Sequence, residues 1–390
     1  MSPLFLKIIA PIAAIFASRM LGLFMLIPVF TIYATHLQGA TPAFIGIALG
    51  IYGLSQGLLQ IPFGLLSDQY GRKTMITIGL ILFAMGSLLG ALTHSIGGMI
   101  AARVIQGMGA IGSVLIALLA DLTSEKQRTL AMAFIGATIG LSFGIAFMLS
   151  PYLAATFGLS GIFYFTACLA LFALLLLHTI IPTPETIPTT PLQRSIGSRL
   201  KSIILDRNLS RLNAGIFCQH LILTSTFYVI PIRIQSFITA EKLSAAWQFY
   251  LPIMLLSFLV MIPMIYLAER RKHGKMLFII AIGITCMSQF GLICYTHLWP
   301  IFTMIMFFYF IAFNILEAML PSLISKQINP GNKGTAMGVY SSSQFLGIFV
   351  GGCIAGFLYE FYGSTAIFIV NTLIASFWFV ISFGWLESPS

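Results

Sequence analysis

Charge is what this chain has least of. Only 8% of its 390 residues are charged, against roughly 25% in an ordinary soluble domain. Acids are scarcest, with ten Asp and Glu set against twenty Lys and Arg, while 58% of the chain is hydrophobic. A soluble core has no room for so much apolar surface, so the chain is expected to lie in a membrane. Cysteine is sparse too: Cys168, Cys218, Cys286, Cys294 and Cys353 all fall inside apolar runs. Their spacing fits neither a metal site nor a secreted disulfide framework, and they read as packing residues. A phosphate-binding G-x-x-x-x-G-K-[ST] loop is missing, which argues against an ATP-driven pump. His, Asp and Glu form no cluster at catalytic or metal-ligand spacing, so no enzyme, cofactor or metal is expected. The start of the chain has no small-residue cleavage site, and its first apolar stretch, Ile8 to Tyr33, is too long for a signal-peptide core. It should be the first permanent span.

What is present is a near-continuous series of apolar stretches, each about 20 residues or longer. The pattern predicts spans at 8–35, 42–66, 74–93, 97–120, 129–155 and 160–181, then at 211–237, 244–267, 274–295, 298–325, 334–358 and 364–386. The longest polar connection runs between the two sets and contains Thr183-Pro-Glu-Thr-Ile-Pro-Thr-Thr-Pro191, then Arg194, Arg199, Lys201 and Arg207. The expected organisation is a first bundle at 1–181, a linker at 182–210 and a second bundle at 211–390. The fold class is therefore all-α: a polytopic membrane protein with twelve transmembrane helices in two pseudo-symmetric six-helix bundles.

The net charge of +10 is a topology signal rather than a nucleic-acid patch. Sixteen of the twenty basic residues fall at Lys7, in the 2–3, 4–5, 8–9 and 10–11 connections and in the central linker with its flanks; the opposite loops offer essentially Lys242. The positive-inside rule then makes both termini and the linker cytoplasmic, which requires an even number of spans. The halves also echo one another. Pro62-Phe-Gly-Leu-Leu-Ser-Asp68 before Arg72-Lys73 parallels Pro263-Met-Ile-Tyr-Leu-Ala-Glu269 before Arg270, Arg271 and Lys272, an offset of 201 residues. More weakly, Leu26-Ile-Pro28-Val sits in span 1 where Val229-Ile-Pro231-Ile sits in span 7. Two related halves with a site between them is a transporter plan.

The strongest motif is Gly64-Leu-Leu-Ser-Asp68-Gln-Tyr-Gly71-Arg72-Lys73, where span 2 turns into span 3. Gly71 permits a tight turn, and Asp68, at a poorly hydrated helix end, needs Arg72 or the positive N-terminus of another helix. The plain alternative is an ordinary turn whose charges fix topology. In letters and placement the motif resembles the signature loop of the major facilitator superfamily. That resemblance implies a conformational latch holding the outward-open state, with Asp121 at the end of span 4 joining Asp68 and Arg72. Arg103-Val-Ile-Gln106-Gly107-Met-Gly109 resembles the second motif of the family, which implies a part for Arg103 in proton coupling; a buried structural contact is the competing reading.

Span 5 has glycines at Gly136, Gly140 and Gly144, then Ser150-Pro151. The glycines are expected to allow close packing and Pro151 to bend the helix, with Gly107 a further packing position. Drug and proton antiporters of the superfamily carry Gly-Pro followed by paired glycines here, so Ser150-Pro151 departs from their pattern. Met132-Ala-Phe-Ile-Gly136, Leu320-Pro-Ser-Leu-Ile-Ser-Lys326 and Lys333-Gly-Thr-Ala-Met-Gly-Val-Tyr340-Ser-Ser-Ser-Gln344 are similar to the bacterial YajR-type branch. Some of that branch carry a soluble domain after span 12; ending at Glu387-Ser-Pro-Ser, this chain is expected to lack it.

Ionisable groups inside spans are the candidates for coupling. Glu317 is the only carboxylate well inside the apolar spans of the second half, which makes it the first candidate for a transported proton, against a permanent ion pair. Arg19 has no acid within helical reach on span 1 and must find its partner on another helix. His220 in span 7 is either a second titrating group or a hydrogen-bonded core residue. Aromatics that share helices with these groups, such as Phe24, Phe227, Tyr228 and Phe313, would suit an amphipathic or cationic substrate. The expected activity is proton-driven export of such small molecules by alternating access; import of a nutrient or siderophore-like molecule is the rival. The expected partners are substrate, protons and membrane lipid, with no nucleic acid, for a monomer in a bacterial cytoplasmic membrane.

Overall fold

A computed structural model of the chain describes residues 5–123, 125–183, 196–271, 273–328 and 333–383. Outside them lie residues 184–195 of the expected linker, Lys272, the turn before span 11 and the end of the chain. Nearly everything described is helical: after a π-helical turn at Phe5–Ile9 come α1 (Ala10–Phe24), α2 (Phe30–Ala34), α3 (Pro42–Tyr70), α4 (Arg72–Leu92), α5 (Ile96–Met108), α6 (Gly112–Leu122) and α7 (Glu125–Thr179). Then follow α8 (Ile196–Leu205), α9 (Arg207–Thr239), α10 (Trp247–Arg270), α11 (Gly274–Tyr295), α12 (Trp299–Gln327), α13 (Lys333–Tyr362) and α14 (Ser364–Phe383).

Eleven of the helical stretches are long and apolar enough to cross a membrane. One of them, Phe134–Thr179, has 46 residues, and at about 1.5 Å per residue it is roughly twice the ~30 Å hydrocarbon thickness. It divides at Gly158, whose φ of 65° and ψ of −169° suit only glycine. The stretch therefore supplies spans 5 and 6, and the number of spans is twelve. Leu141, Leu171, Leu259, Met287, Phe377 and Val380 are among the large apolar side chains left exposed on the outside, as a lipid-facing surface requires.

Several expected spans differ in detail. Span 1 is not one helix, because Pro28 has no N–H to donate to the carbonyl one turn earlier; the chain tightens through Ile27 N–H to Phe24 O at 3.2 Å and Val29 N–H to Leu26 O at 3.3 Å before α2 begins. Its counterpart Pro231 stays within the continuous helix α9. Span 4 is also broken, at Gly109–Ile111 between α5 and α6. In α7 the non-helical residue is Gly158, in the turn between spans 5 and 6, and Pro151 lies inside the helix of span 5. The expected linker contains the short helix α8, after which Asp206 caps α9 by accepting from the N–H groups of Asn208 and Leu209, both at 2.9 Å.

Two seams join the bundles. Spans 2 and 11 (α3 and α13) form one, and spans 5 and 8 (α7 and α10) form the other; the pseudo-symmetry of the halves exchanges the two seams. Along the first seam side chains give way to bare backbone. A methyl on Gly50 would lie 2.7 Å from Phe349 O, one on Gly352 would lie 2.9 Å from Gly50 N, and one on Gly356 would lie 2.6 Å from Pro42 O. Only glycine allows helices so close. The expected glycine stripe of span 5 behaves differently. Gly144 would meet Phe258 at 3.2 Å, whereas Gly136 and Gly140 face open space, so they make no close helix contact.

The seam is tight from the end where span 2 begins through Gly53. There Tyr228 Oη donates to Pro42 O at 2.8 Å, and the Ala43 N–H donates to Glu360 Oε2 at 2.8 Å, both across the bundles. Towards the basic end, which carries Gly71, Arg72 and Lys73, the approach loosens: a methyl on Gly338 would reach Ile61 only at 3.9 Å. The bundles are thus closed on the face opposite the basic one.

Candidate functional site

The turn between α3 and α4 is made by Gly71, whose φ of 91° is strained for any other residue. It sets Arg72 at the start of α4 beside two carboxylates. Arg72 pairs with Asp68 through Nη1 and with Asp121 through Nε at 3.0 Å, and Nη1 also donates to Ser67 Oγ at 2.6 Å. Lys73 turns the other way and donates to Ile181 O at 2.6 Å, tying the end of span 6 to the same face. Gly64 lets α3 approach Ser113 of α6, with a built methyl 3.4 Å from its hydroxyl. Asp68, Arg72 and Asp121 all belong to the first bundle. Their network is intact while the opposite face is closed, so a latch between bundles needs a further group from the second one.

Arg103 is buried and meets no carboxylate among the described residues. It donates to Gln106 Oε1 at 2.6 Å and to the carbonyls of Ala48 and Leu49 at 3.4 Å each, and its guanidinium lies 4.7 Å from the centre of the Tyr52 ring. Gln106 passes the chain on to Ser87 Oγ at 2.9 Å. A methyl on Gly107 would collide with Tyr52 O, so this glycine brings α5 onto α3. Arg19 finds its partners on α3, as Nη2 donates to Gln56 Oε1 and to Tyr52 Oη at 3.4 Å.

The second bundle gathers Glu317, His220, Gln219 and Gln344 from spans 10, 7 and 11. Gln219 Nε2 donates to Glu317 Oε2 at 3.1 Å, and Gln344 Nε2 donates to Glu317 Oε1 at 3.3 Å. Gln344 Nε2 also lies 2.8 Å from His220 Nε2, and His220 Nε2 is 3.8 Å from Glu317 Oε2. The contact at 2.8 Å sets the side-chain amide of Gln344 directly against the His220 ring nitrogen. His220 is buried, while the Glu317 side chain remains 28% exposed. Among the described residues no Lys or Arg pairs with Glu317.

One turn from Glu317, Phe313 stacks across the bundle boundary on Phe143, with centroids 5.3 Å apart. Phe147 continues the plug against Phe227 at 5.0 Å, Tyr250 at 5.5 Å and Phe310 at 6.0 Å. Sequence reasoning named some of these rings but not the plug, since Phe143 and Phe147 look like any other apolar residues of span 5. The described residues contain no group of three or more His, Cys, Asp or Glu placed to hold a metal.

The profile of the Major Facilitator Superfamily matches residues 12–352 and 278–390. The chain is 41% identical over 381 residues to the inner membrane transport protein YajR of Escherichia coli (strain K12), covering 97% of this chain and 83% of that one. It is 25% identical over 353 residues to the quinolone resistance protein NorA of Staphylococcus aureus (strain MSSA476), covering 87% of each. The crystal structure of a D-xylose-proton symporter superposes with a TM-score of 0.73 at 16% identity, covering 95% of this chain and 96% of that one. Twelve spans in two bundles, the signature turn at Gly71 and these similarities agree: the chain belongs to the Major Facilitator Superfamily and is a multi-pass membrane transporter.

Proposed function

We propose that the protein is a proton-coupled secondary transporter of a bacterial cytoplasmic membrane that exports small amphipathic or cationic compounds by alternating access. The observation that carries this reading is Glu317. It is a carboxyl group in the middle of span 10, it is held by two amides and a histidine rather than by a fixed cation, and it is partly open to its surroundings. Such a group binds and releases a proton without breaking a permanent ion pair. Gln344 touches both Glu317 and His220, so a proton arriving on His220 Nε2 turns the Gln344 amide away and changes how Glu317 is held.

The positive-inside rule makes the basic face and both termini cytoplasmic, so the closed face is periplasmic and this arrangement is inward-facing. Opening the periplasmic face requires the aromatic plug and the α3–α13 seam to part. In that step Arg103 positions α5 against α3, and the Asp68–Arg72–Asp121 network stiffens the turn that moves. The aromatic lining suits a flat or amphipathic molecule, and the relative named for quinolone resistance supports export. The protein works as a monomer among lipids.

The test is accumulation of a cationic dye in inverted vesicles under an imposed pH gradient. Export coupled to protons predicts accumulation by wild type that collapses with the gradient and is lost in Glu317→Gln. Gradient-driven uptake into right-side-out vesicles instead would establish import and overturn the proposed direction.

A further inference from the structure

Arg19 is 2% exposed, yet its Nε and Nη1 have no hydrogen-bond partner among the described residues. Its neighbours Gln56 and Tyr52 occupy Nη2 alone. A buried guanidinium with free donors calls for an acceptor, most of all one with negative charge. The break in span 4 lies beside it. There α6 starts afresh at Gly112 inside the bundle, and its cap residue Ile111 supplies no side-chain acceptor. The first N–H groups of an eleven-residue helix, with the positive end of its dipole, therefore point back into the protein.

The two features converge on one glycine. A methyl built on Gly112 would sit 3.4 Å from Arg19 Nη1 and 3.1 Å from Gln60 Nε2. Gly112 thus lets a guanidinium and the Gln60 side-chain amide, whose Oε1 would lie 3.8 Å from the same methyl, stand close against a helix N-terminus, and among the described residues no carboxylate bonds to Arg19. This cluster also lies next to the bundle seam: Ser342 Oγ donates at 2.9 Å to the carbonyl of Gly57, the residue after Gln56, and Ser342 is two residues from Gln344 of the Glu317 cluster.

We propose that Arg19, Gln60 and the N-terminus of α6 form an anion subsite that takes the carboxylate of a bound organic molecule. The transported class then includes amphipathic compounds that carry a carboxylate besides their aromatic or cationic part. Discontinuous helices suit this task, because the half-helix supplies positive potential without a mobile charge. The proposal deepens the transport reading and rests on it for the route by which a molecule arrives. Binding is read without transport, so dye export can fail while the subsite stands, and the reverse.

The experiment is thermal unfolding of the purified full chain in lipid nanodiscs, at fixed ionic strength, with benzoate, benzamide or sulfate. Wild type should gain several degrees with millimolar benzoate and nothing with neutral benzamide. Arg19→Gln should lose that gain, and Gly112→Ala, whose methyl crowds Gln60 and the guanidinium but keeps Arg19, should lose it as well. Stabilisation by sulfate but not benzoate would overturn the organic carboxylate in favour of a free inorganic oxyanion. Absence of any anion effect in wild type would overturn the subsite, as would a benzoate gain that survives in Gly112→Ala. Should Arg19→Gln fail to give monodisperse protein, Gly112→Ala and the benzamide comparison still decide.

Discussion

His220 Nε2 lies 3.8 Å from Glu317 Oε2, a histidine and a carboxylate on different spans brought together where the two bundles adjoin. The imidazole is buried and lies against the Gln344 amide, so the proposed coupling requires the pair to act as one unit whose hydrogen bonds rearrange with each proton. Replacing His220 with Asn keeps an acceptor for Gln344 but removes the second proton site. Folding and substrate binding should survive, while the pH at which transport is half-maximal should move. An unchanged pH profile would reduce His220 to a structural acceptor.

Arg72 and its two carboxylates are partly open to water, with side-chain exposures of 20%, 39% and 34% for Arg72, Asp68 and Asp121. Exposed pairs of this kind are worth no more than about 1 kcal/mol. Asp68→Asn and Asp121→Asn should therefore leave the melting temperature nearly unchanged and yet slow transport, as the role proposed for the network requires. A large loss of stability with intact transport of the remaining folded fraction would make the motif a folding element only.

Gly50 faces Phe349 O at 2.7 Å from a built methyl, and backbone on both sides leaves nothing free to yield. Gly50→Val should push α3 and α13 apart and hold the face opposite the basic one open. The readout is labelling of a cysteine placed at Ala355, fully buried in the closed arrangement, by an impermeant maleimide in a cysteine-free background. Labelling should be fast in Gly50→Val and slow in its parent; equal rates would show that the seam does not gate access.

Glu360 accepts the Ala43 N–H at the first turn of α3, a carboxylate on a positive helix end that joins second bundle to first. Glu360→Gln weakens this clasp without adding bulk. The same labelling should rise by no more than about tenfold, since the contact is exposed to solvent. A rate matching Gly50→Val would give Glu360 a larger share of closure than its surroundings support.

The spans and the signature turn were legible because each depends on local chemistry: apolar length makes a membrane helix, and a glycine before Arg72-Lys73 makes the turn. Span 9 appears at 274–295, as the hydropathy pattern predicts. Breaks inside spans were harder to read. Pro28 and Pro231 both follow an isoleucine in apolar surroundings, but only Pro28 interrupts its helix, because the outcome depends on what packs beside it. The small residues of the α3–α13 seam are scattered through two sequences that never pair along the chain, and the stripe at Gly136–Gly144 looked the better packing motif. Tertiary contact decides between such stripes, and spacing alone does not. Glu317 stood out as the lone acid well inside the second half's spans, while its Gln219 and Gln344 partners carry no signal that separates them from other polar residues in spans.

Proton coupling through Glu317 is tested most directly in proteoliposomes that carry a trapped pH dye and are driven by a substrate gradient alone. Wild type should move protons in the direction opposite to substrate, and Glu317→Gln should abolish that proton signal, by at least about tenfold, while still exchanging labelled for unlabelled substrate. Substrate movement with no proton signal in wild type, or an unchanged proton signal in Glu317→Gln, would contradict the account.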